Sequence, residues 1–178
     1  MSSPLISSPP AASAALGGRA IVFGDDINTD VIIPSRYLVS IDPVELGAHA
    51  FEPLGPAAQA RLKDSRVVVA GRNFGCGSAR EQAATCLIGA GVKAVVARSY
   101  SRVFFRNAIN TGLVAVECPA AVDEIAEGDE VWVDYAAGAV TVGGRAHPFA
   151  PFPPVLREIL EAGGLIEHLM AKFAKERG

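Results

Sequence analysis

Between residues 66 and 116, short β-branched runs alternate with helical runs, and glycine stands at the handovers. Residues 66–70, 93–97 and 113–116 read as strands, and residues 79–90 and 101–110 read as helices. Gly89-Ala90-Gly91 and Thr111-Gly112 stop the two helices, because glycine enters the left-handed conformation of a helix end without a Cβ penalty. Few folds accept this order. Successive parallel strands need a crossover between them, and a helix is the usual crossover. Strand–helix–strand–helix–strand is therefore the signature of a parallel α/β core.

The flanking segments extend that core. Residues 19–23 read as a first strand, turned by Gly24-Asp25-Asp26. Asn28-Thr29-Asp30 leads into Val31-Ile32-Ile33, and Pro34 breaks the run. Residues 40–64 are irregular, punctuated by Pro43, Pro53 and Pro56, with a short helix expected near 44–50. A long, weakly patterned insertion of this kind often carries function. Residues 130–135 and 139–142 alternate apolar and polar around Ala136-Ala137-Gly138, as a β-hairpin does. After Pro154, Leu156, Ile159 and Leu160 recur at helical spacing, and Gly163-Gly164 breaks the helix. The expected class is α/β, with a mostly parallel core sheet and an added β layer. Residues 1–18 are rich in Ser, Pro and Ala, carry no charge, and read as a disordered tail. Residues 19–178 then form one domain.

Composition removes several functions. The net charge of −3 gives no basic field for nucleic acid. No run is long and apolar enough to span a bilayer. The three cysteines are odd in number and lack C-x-x-C spacing, so neither a disulfide framework nor a metal site on this chain follows. A reducing cytoplasm is the expected compartment. Charged residues make up 20% of the chain, below the roughly 25% of ordinary soluble domains, which hints at surface covered by a partner.

The chemistry concentrates in Gly71-Arg72-Asn73-Phe74-Gly75-Cys76-Gly77-Ser78-Ala79-Arg80-Glu81. This stretch joins a strand to a helix, so backbone N–H groups and the positive helix end converge on one place and suit an anion. Ser78 admits two readings. Ser78-x-x-Glu81 is a capping box. Alternatively, Ser78 is a hydroxyl whose alkoxide the glycine-loop N–H groups and a nearby cation stabilise, which would let it act as a base. The loop lacks the Gly-Lys-Ser/Thr ending of a Walker A motif, and it is not a G-x-S-x-G elbow. Arg80 in a first helical turn opposes the helix dipole, which points either to a ligand or to a salt bridge with another segment. Cys76 is either a thiolate at a helix entrance or a small loop residue. Asp25, Asp26 and Asp30 are either metal ligands or turn residues. Arg102 and Arg106 share a helix face, either solvated or bordering an anionic site or partner.

Three segments taken together carry a family resemblance: residues 24–34 with Arg36-Tyr37-Leu38, residues 71–81, and residues 104–112. From about Ala20 onward the chain resembles the small subunits of 3-isopropylmalate dehydratases, within the aconitase superfamily. The resemblance implies a swivelling three-layer β/β/α domain, equivalent to the mobile fourth domain of aconitase. It implies a large-subunit partner, in a heterodimer or heterotetramer, that holds a [4Fe-4S] cluster, with no cofactor bound by this chain. It also implies isomerisation of 2-isopropylmalate to 3-isopropylmalate by dehydration and rehydration through 2-isopropylmaleate, in leucine biosynthesis. By the same resemblance Ser78 is the base, Arg80 binds a substrate carboxylate, and Asp30 is an active-site aspartate that orients a neighbouring cation. Gly71, Arg72, Gly75 and Cys76 form the cradle, and Gly77 counts with Arg80, Ala79 and Val39 among the substrate-binding residues. Ala79 replaces a second serine of aconitase and leaves only its backbone N–H for carboxylate. Val39 stands where members acting on tricarboxylates place an arginine, and an apolar residue there suits an isopropyl group. The rival readings are a homoaconitate or methyl-substituted malate dehydratase subunit, and a non-enzymatic anion-binding module.

Overall fold

The computed structural model describes residues 15–177. Its strands are β1 (Ala15–Val22), β2 (Val67–Ala70), β3 (Ala94–Ala97), β4 (Val114–Glu117), β5 (Glu130–Asp134), β6 (Ala139–Val142) and β7 (Arg145–Pro148). Between β1 and β2 lie α1 (Thr29–Ile32), α2 (Pro43–Gly47) and α3 (Pro56–Lys63), with 3-10 turns at Ser35–Tyr37 and Glu52–Leu54. The later helices are α4 (Glu81–Gly89), α5 (Arg102–Asn110), α6 (Pro119–Glu124), α7 (Pro154–Ala162) and α8 (Leu165–Glu176).

Among the described residues the sheet runs β4-β3-β2-β1-β5-β6-β7. β1 to β4 pair in parallel, with Ala20 opposite Val67 and Val67 opposite Ala94. β5 to β7 continue antiparallel. β1 serves both halves: its first residues, Ala15 to Arg19, pair antiparallel with β5, and Ala20 to Val22 pair with β2. The strands of the parallel half are buried on both faces, as crossover helices require. Val68, Ala70, Val95 and Ala97 face a core filled by Ala83, Leu87 and Phe104 of α4 and α5. Val67, Val69, Val96 and Val116 face a second core with Val131, Val133 and Val140 of the antiparallel strands. The α/β class with a parallel core and a β layer is therefore realised.

The differences from the sequence reading have local causes. β1 starts at Ala15, inside the segment read as a tail, because Ala15 to Gly18 find partners in β5 that no local pattern advertises; residues 1–14 lie outside the described residues. The 28–33 run, to which the pattern assigned no element, holds one helical turn, capped by Asn28 Oδ1 accepting the Val31 N–H at 2.9 Å. The insertion contains α3 as well as the expected α2. β7 and α6 carried no periodic signal.

Candidate active site

The glycine loop lies at the carboxyl ends of β1 and β2, where α/β sheets offer a crevice for ligands. Loop 24–30, after β1, holds loop 71–80, after β2. The Arg72 N–H donates to Asp25 Oδ1 at 2.7 Å, the Asn73 amide donates to Asp26 Oδ1 at 2.9 Å, and the Gly75 N–H donates to the Ile27 carbonyl at 2.8 Å. Thr29 is buried, and it donates its N–H to the Cys76 carbonyl at 2.9 Å and its hydroxyl to the Ser78 carbonyl at 3.0 Å. Two glycines are required by shape. Gly75 has φ +75°, and a Cβ there would lie 2.2 Å from Phe104 Cγ. A Cβ on Gly71 would lie 1.9 Å from Asp25 Oδ1.

This pinning decides how the helix begins. The N-cap of α4 is Arg80, with extended φ −127° and ψ 115°, and no side chain caps it. The capping box Ser78-x-x-Glu81 does not form. Ser78 is exposed, with Gly77 and Ala79 on either side also exposed. Among the described residues no backbone acceptor faces the N–H groups of Gly77, Ser78 or Ala79. The loop presents N–H groups and one hydroxyl to solvent together, an arrangement that stabilises negative charge.

The Arg80 side chain turns to the segment around α1. Its guanidinium pairs with Asp30 at 2.5 Å and reaches the Ile33 carbonyl at 3.4 Å, and its side chain is only 15% exposed. The salt bridge anticipated as one alternative is present, and its partner is Asp30, from the segment before α1. Ser78, Ala79, Arg80, Gly77 and Asp30 are thus brought to one edge. Gly71, Arg72 and Gly75 support them from behind.

The other candidates sort differently. Asp25, Asp26 and Asp30 each face a separate partner on loop 71–80 and not one another, so Asp25 and Asp26 tie the two loops together. Burial and the neighbouring Asp26 charge push the Cys76 thiol up, the wrong direction for a nucleophile. Cys86 and Cys118 are buried on opposite faces of the sheet, and burial pushes Cys86 up to about 12. An iron–sulfur cluster needs convergent thiolates, so these cysteines do not fit one. Arg102 and Arg106 line a groove of about 370 Å³ along α5, with Phe105, Ile109 and Leu156. Val39 projects from the loop after the Ser35–Tyr37 turn and is 93% exposed.

Sequence reasoning missed a cluster behind Val39. Glu52 accepts hydrogen bonds from the Tyr37 hydroxyl at 2.8 and 3.0 Å, contacts His49 Nδ1 at 2.8 Å, and pairs with Arg36. The Tyr37 ring stacks on His49 at 3.6 Å, with Arg36 4.7 Å from its centroid. These donors, Tyr37 foremost, hold the Glu52 carboxyl below its ordinary value. Only the Arg-Tyr pair in the sequence hinted at it, since Glu52 sits fifteen residues further on.

Comparison with known proteins adds the family. Residues 52–121 match the model of the aconitase C-terminal domain, a span that includes the glycine loop. The 3-isopropylmalate dehydratase small subunit 1 of Archaeoglobus fulgidus is 51% identical over 162 residues, covering 90% of this chain and 99% of that protein. The small subunit of Pyrobaculum calidifontis is 51% identical over 154 residues, 85% of this chain and 95% of its own. A crystal structure of a 3-isopropylmalate dehydratase from Methanocaldococcus jannaschii matches with a TM-score of 0.83 at 39% identity, covering 92% of this chain and 99% of that one.

Proposed function

Because the chain belongs to the family of 3-isopropylmalate dehydratase small subunits, we propose that it supplies the base and a carboxylate clamp for interconverting 2- and 3-isopropylmalate through 2-isopropylmaleate. The observation that carries this reading is the exposed Ser78 residue at an uncapped helix entrance, with Arg80, two residues on, held by Asp30. Dehydration needs a proton removed from the carbon next to the hydroxyl-bearing one. A serine hydroxyl is far too weak an acid to serve as an alkoxide unless its anion is stabilised. The free N–H groups of residues 77–79, the helix end and a guanidinium act in that direction. Arg80 offers a planar fork to a carboxylate, and the Ala79 N–H adds a donor. On rehydration Ser78 returns the proton, and hydroxyl addition at the neighbouring carbon gives the isomer.

Hydroxide is a poor leaving group and needs a Lewis acid. In our reading that acid is the iron–sulfur cluster of a large subunit, which also closes the open edge of the glycine loop. The exposed apolar residues Val39, Ile41 and Val44 support a covering partner. Val39 is proposed to meet the isopropyl group, since an apolar wall leaves the third carboxylate of homoaconitate without a cation. Three free thiols suit a reducing cytoplasm.

The test is reconstitution with the large subunit. The isolated chain should not turn over isopropylmalate, and the pair should. Ser78→Ala should lower kcat by a factor on the order of 10³ without loss of complex, as removal of a positioned base does. Full turnover by that variant would reduce Ser78 to a loop residue, and equal turnover of homoaconitate and isopropylmalate would defeat the role given to Val39.

A further inference from the structure

Val39 is almost wholly exposed, so packing does not hold it. A side chain that is to recognise an isopropyl group must still be held in place. Tyr37 and Leu38 lean on the core, and the remaining hold on this segment is polar. A single 3-10 turn, Ser35–Tyr37, leads into Val39, and such turns have little stability of their own. Here the turn is clamped. The Tyr37 ring stacks on His49 and carries the Arg36 guanidinium over it, and its hydroxyl is bound by Glu52, which also engages His49 and Arg36.

The clamp is fixed to the core. Glu52 follows Phe51, which is fully buried, holds φ +55°, and donates its N–H to the Ile32 carbonyl at 3.0 Å. On the other side of Val39, Ser40 donates to Glu45 at 2.6 Å, and Asp42 caps α2 by accepting the Val44 N–H at 2.8 Å. The same segment begins at Ile33, whose carbonyl meets Arg80. The peptide from the carboxylate-binding arginine to the exposed valine therefore runs through one carboxylate-centred clamp.

We infer that Glu52 is the positioning residue for Val39: by gripping Tyr37, His49 and Arg36 together it sets where the apolar wall stands, and so how strictly the enzyme prefers a branched alkyl group on its hydroxy-dicarboxylate substrate. This rests on Val39 meeting that alkyl group. Glu52 touches no substrate, so its effect belongs in selectivity rather than in the proton-transfer step.

The experiment uses the reconstituted two-subunit enzyme with 2-isopropylmalate and with 2-methylmalate, which carries methyl in place of isopropyl. Glu52→Gln should raise KM for isopropylmalate by roughly tenfold, leave kcat within about twofold, and narrow the preference over methylmalate. Tyr37→Phe, which removes only the hydroxyl, should give part of the same shift and guards against a Glu52 variant that fails to fold. Val39→Ala should narrow the preference too, and Glu52→Gln added to it should narrow it no further. If Val39→Ala alters selectivity and neither Glu52→Gln nor Tyr37→Phe does, the clamp role is wrong while the Val39 reading stands. If Val39→Ala leaves selectivity unchanged, that reading fails and takes the clamp role with it. Equal loss on both substrates would make Glu52 a stability residue only and overturn the inference.

Discussion

Asp30→Asn is the substitution that most directly tests how the site is built. Asn keeps the size and one oxygen acceptor of Asp30 but removes the charge opposite Arg80. The Arg80 side chain is 15% exposed and that of Asp30 57%, so the pair is neither a surface bridge nor a buried one. Exposed pairs contribute about 0–1 kcal/mol, and breaking one side of a buried pair costs about 3–5 kcal/mol. The half-covered geometry puts the loss at about 2 kcal/mol, because the guanidinium keeps a neutral oxygen at residue 30 and the Ile33 carbonyl at 3.4 Å but loses the opposing charge. If that energy holds Arg80 in place for substrate, kcat/KM of the reconstituted enzyme should fall by roughly 30-fold, the equivalent of 2 kcal/mol. Denaturant unfolding of the isolated chain gives the stability term. A cycle of Asp30→Asn, Arg80→Gln and the double variant isolates the coupling, expected at about 1–2 kcal/mol in both stability and kcat/KM. A coupling below about 0.3 kcal/mol, with activity of Asp30→Asn within twofold of the parent, would refute the idea that Asp30 positions Arg80.

Gly75→Ala forces an alanine to φ +75° and drives its Cβ to 2.2 Å from Phe104 Cγ, in an aromatic cluster with Phe74 and Tyr100. A left-handed alanine costs about 1–2 kcal/mol and overpacking about 1–3, so thermal unfolding should shift down by about 10 °C; a shift under 2 °C would mean the loop relaxes freely. Cys86 has its folded value pushed up to about 12 from 9.0 by burial, so its contribution is fully present below pH 9 and is lost as the unfolded thiol ionises between pH 9 and 12. Stability should fall by about 1 kcal/mol from pH 8 to pH 10 through this group, and Cys86→Ala, measured by urea unfolding across that range, should flatten the slope by that amount.

The parallel half of the fold was legible because each of its signals is local. Val67–Ala70, Ala94–Ala97 and Val114–Glu117 are short β-branched or alanine runs ended by glycine-marked helices, and their observed bounds differ from the reading by a residue or so. What stayed hidden depends on partners distant in sequence. Ala15 to Gly18 form a strand only because Val131 to Asp134 accept them. Arg145–Pro148 is a strand only as the edge of a hairpin extended by β6. At the site, the glycine loop announced itself, but the Asp30–Arg80 pair spans fifty residues and the Tyr37–Glu52 clamp fifteen. The resemblance had already paired Asp30 with a cationic neighbour. The clamp had no such pointer, because a glutamate before Pro53 reads as turn punctuation.

The failed capping box explains why the loop is built as it is. From local energetics alone, Ser78 should cap the helix and Glu81 should reach back, an arrangement about 1 kcal/mol better than an uncapped start. The chain forgoes it because loop 71–80 is already committed elsewhere. Gly75 and Gly77 hold positive φ, the Ser78 carbonyl is taken by Thr29, and Arg80 is extended. Helical geometry therefore cannot start before Glu81. The cost is a helix entrance without a cap, and the consequence is that a hydroxyl and its neighbouring N–H groups stay free instead of satisfying one another. Had the cap formed, the Ser78 oxygen would be an acceptor pointed into its own helix, and under the proposed mechanism it would be a poorer acceptor of a substrate proton. The tight bonding of Asp25, Asp26 and Thr29 to the loop thus keeps Ser78 out of a cap, so under the proposed base role weakening any of these three should lower kcat of the reconstituted enzyme before it lowers the unfolding temperature.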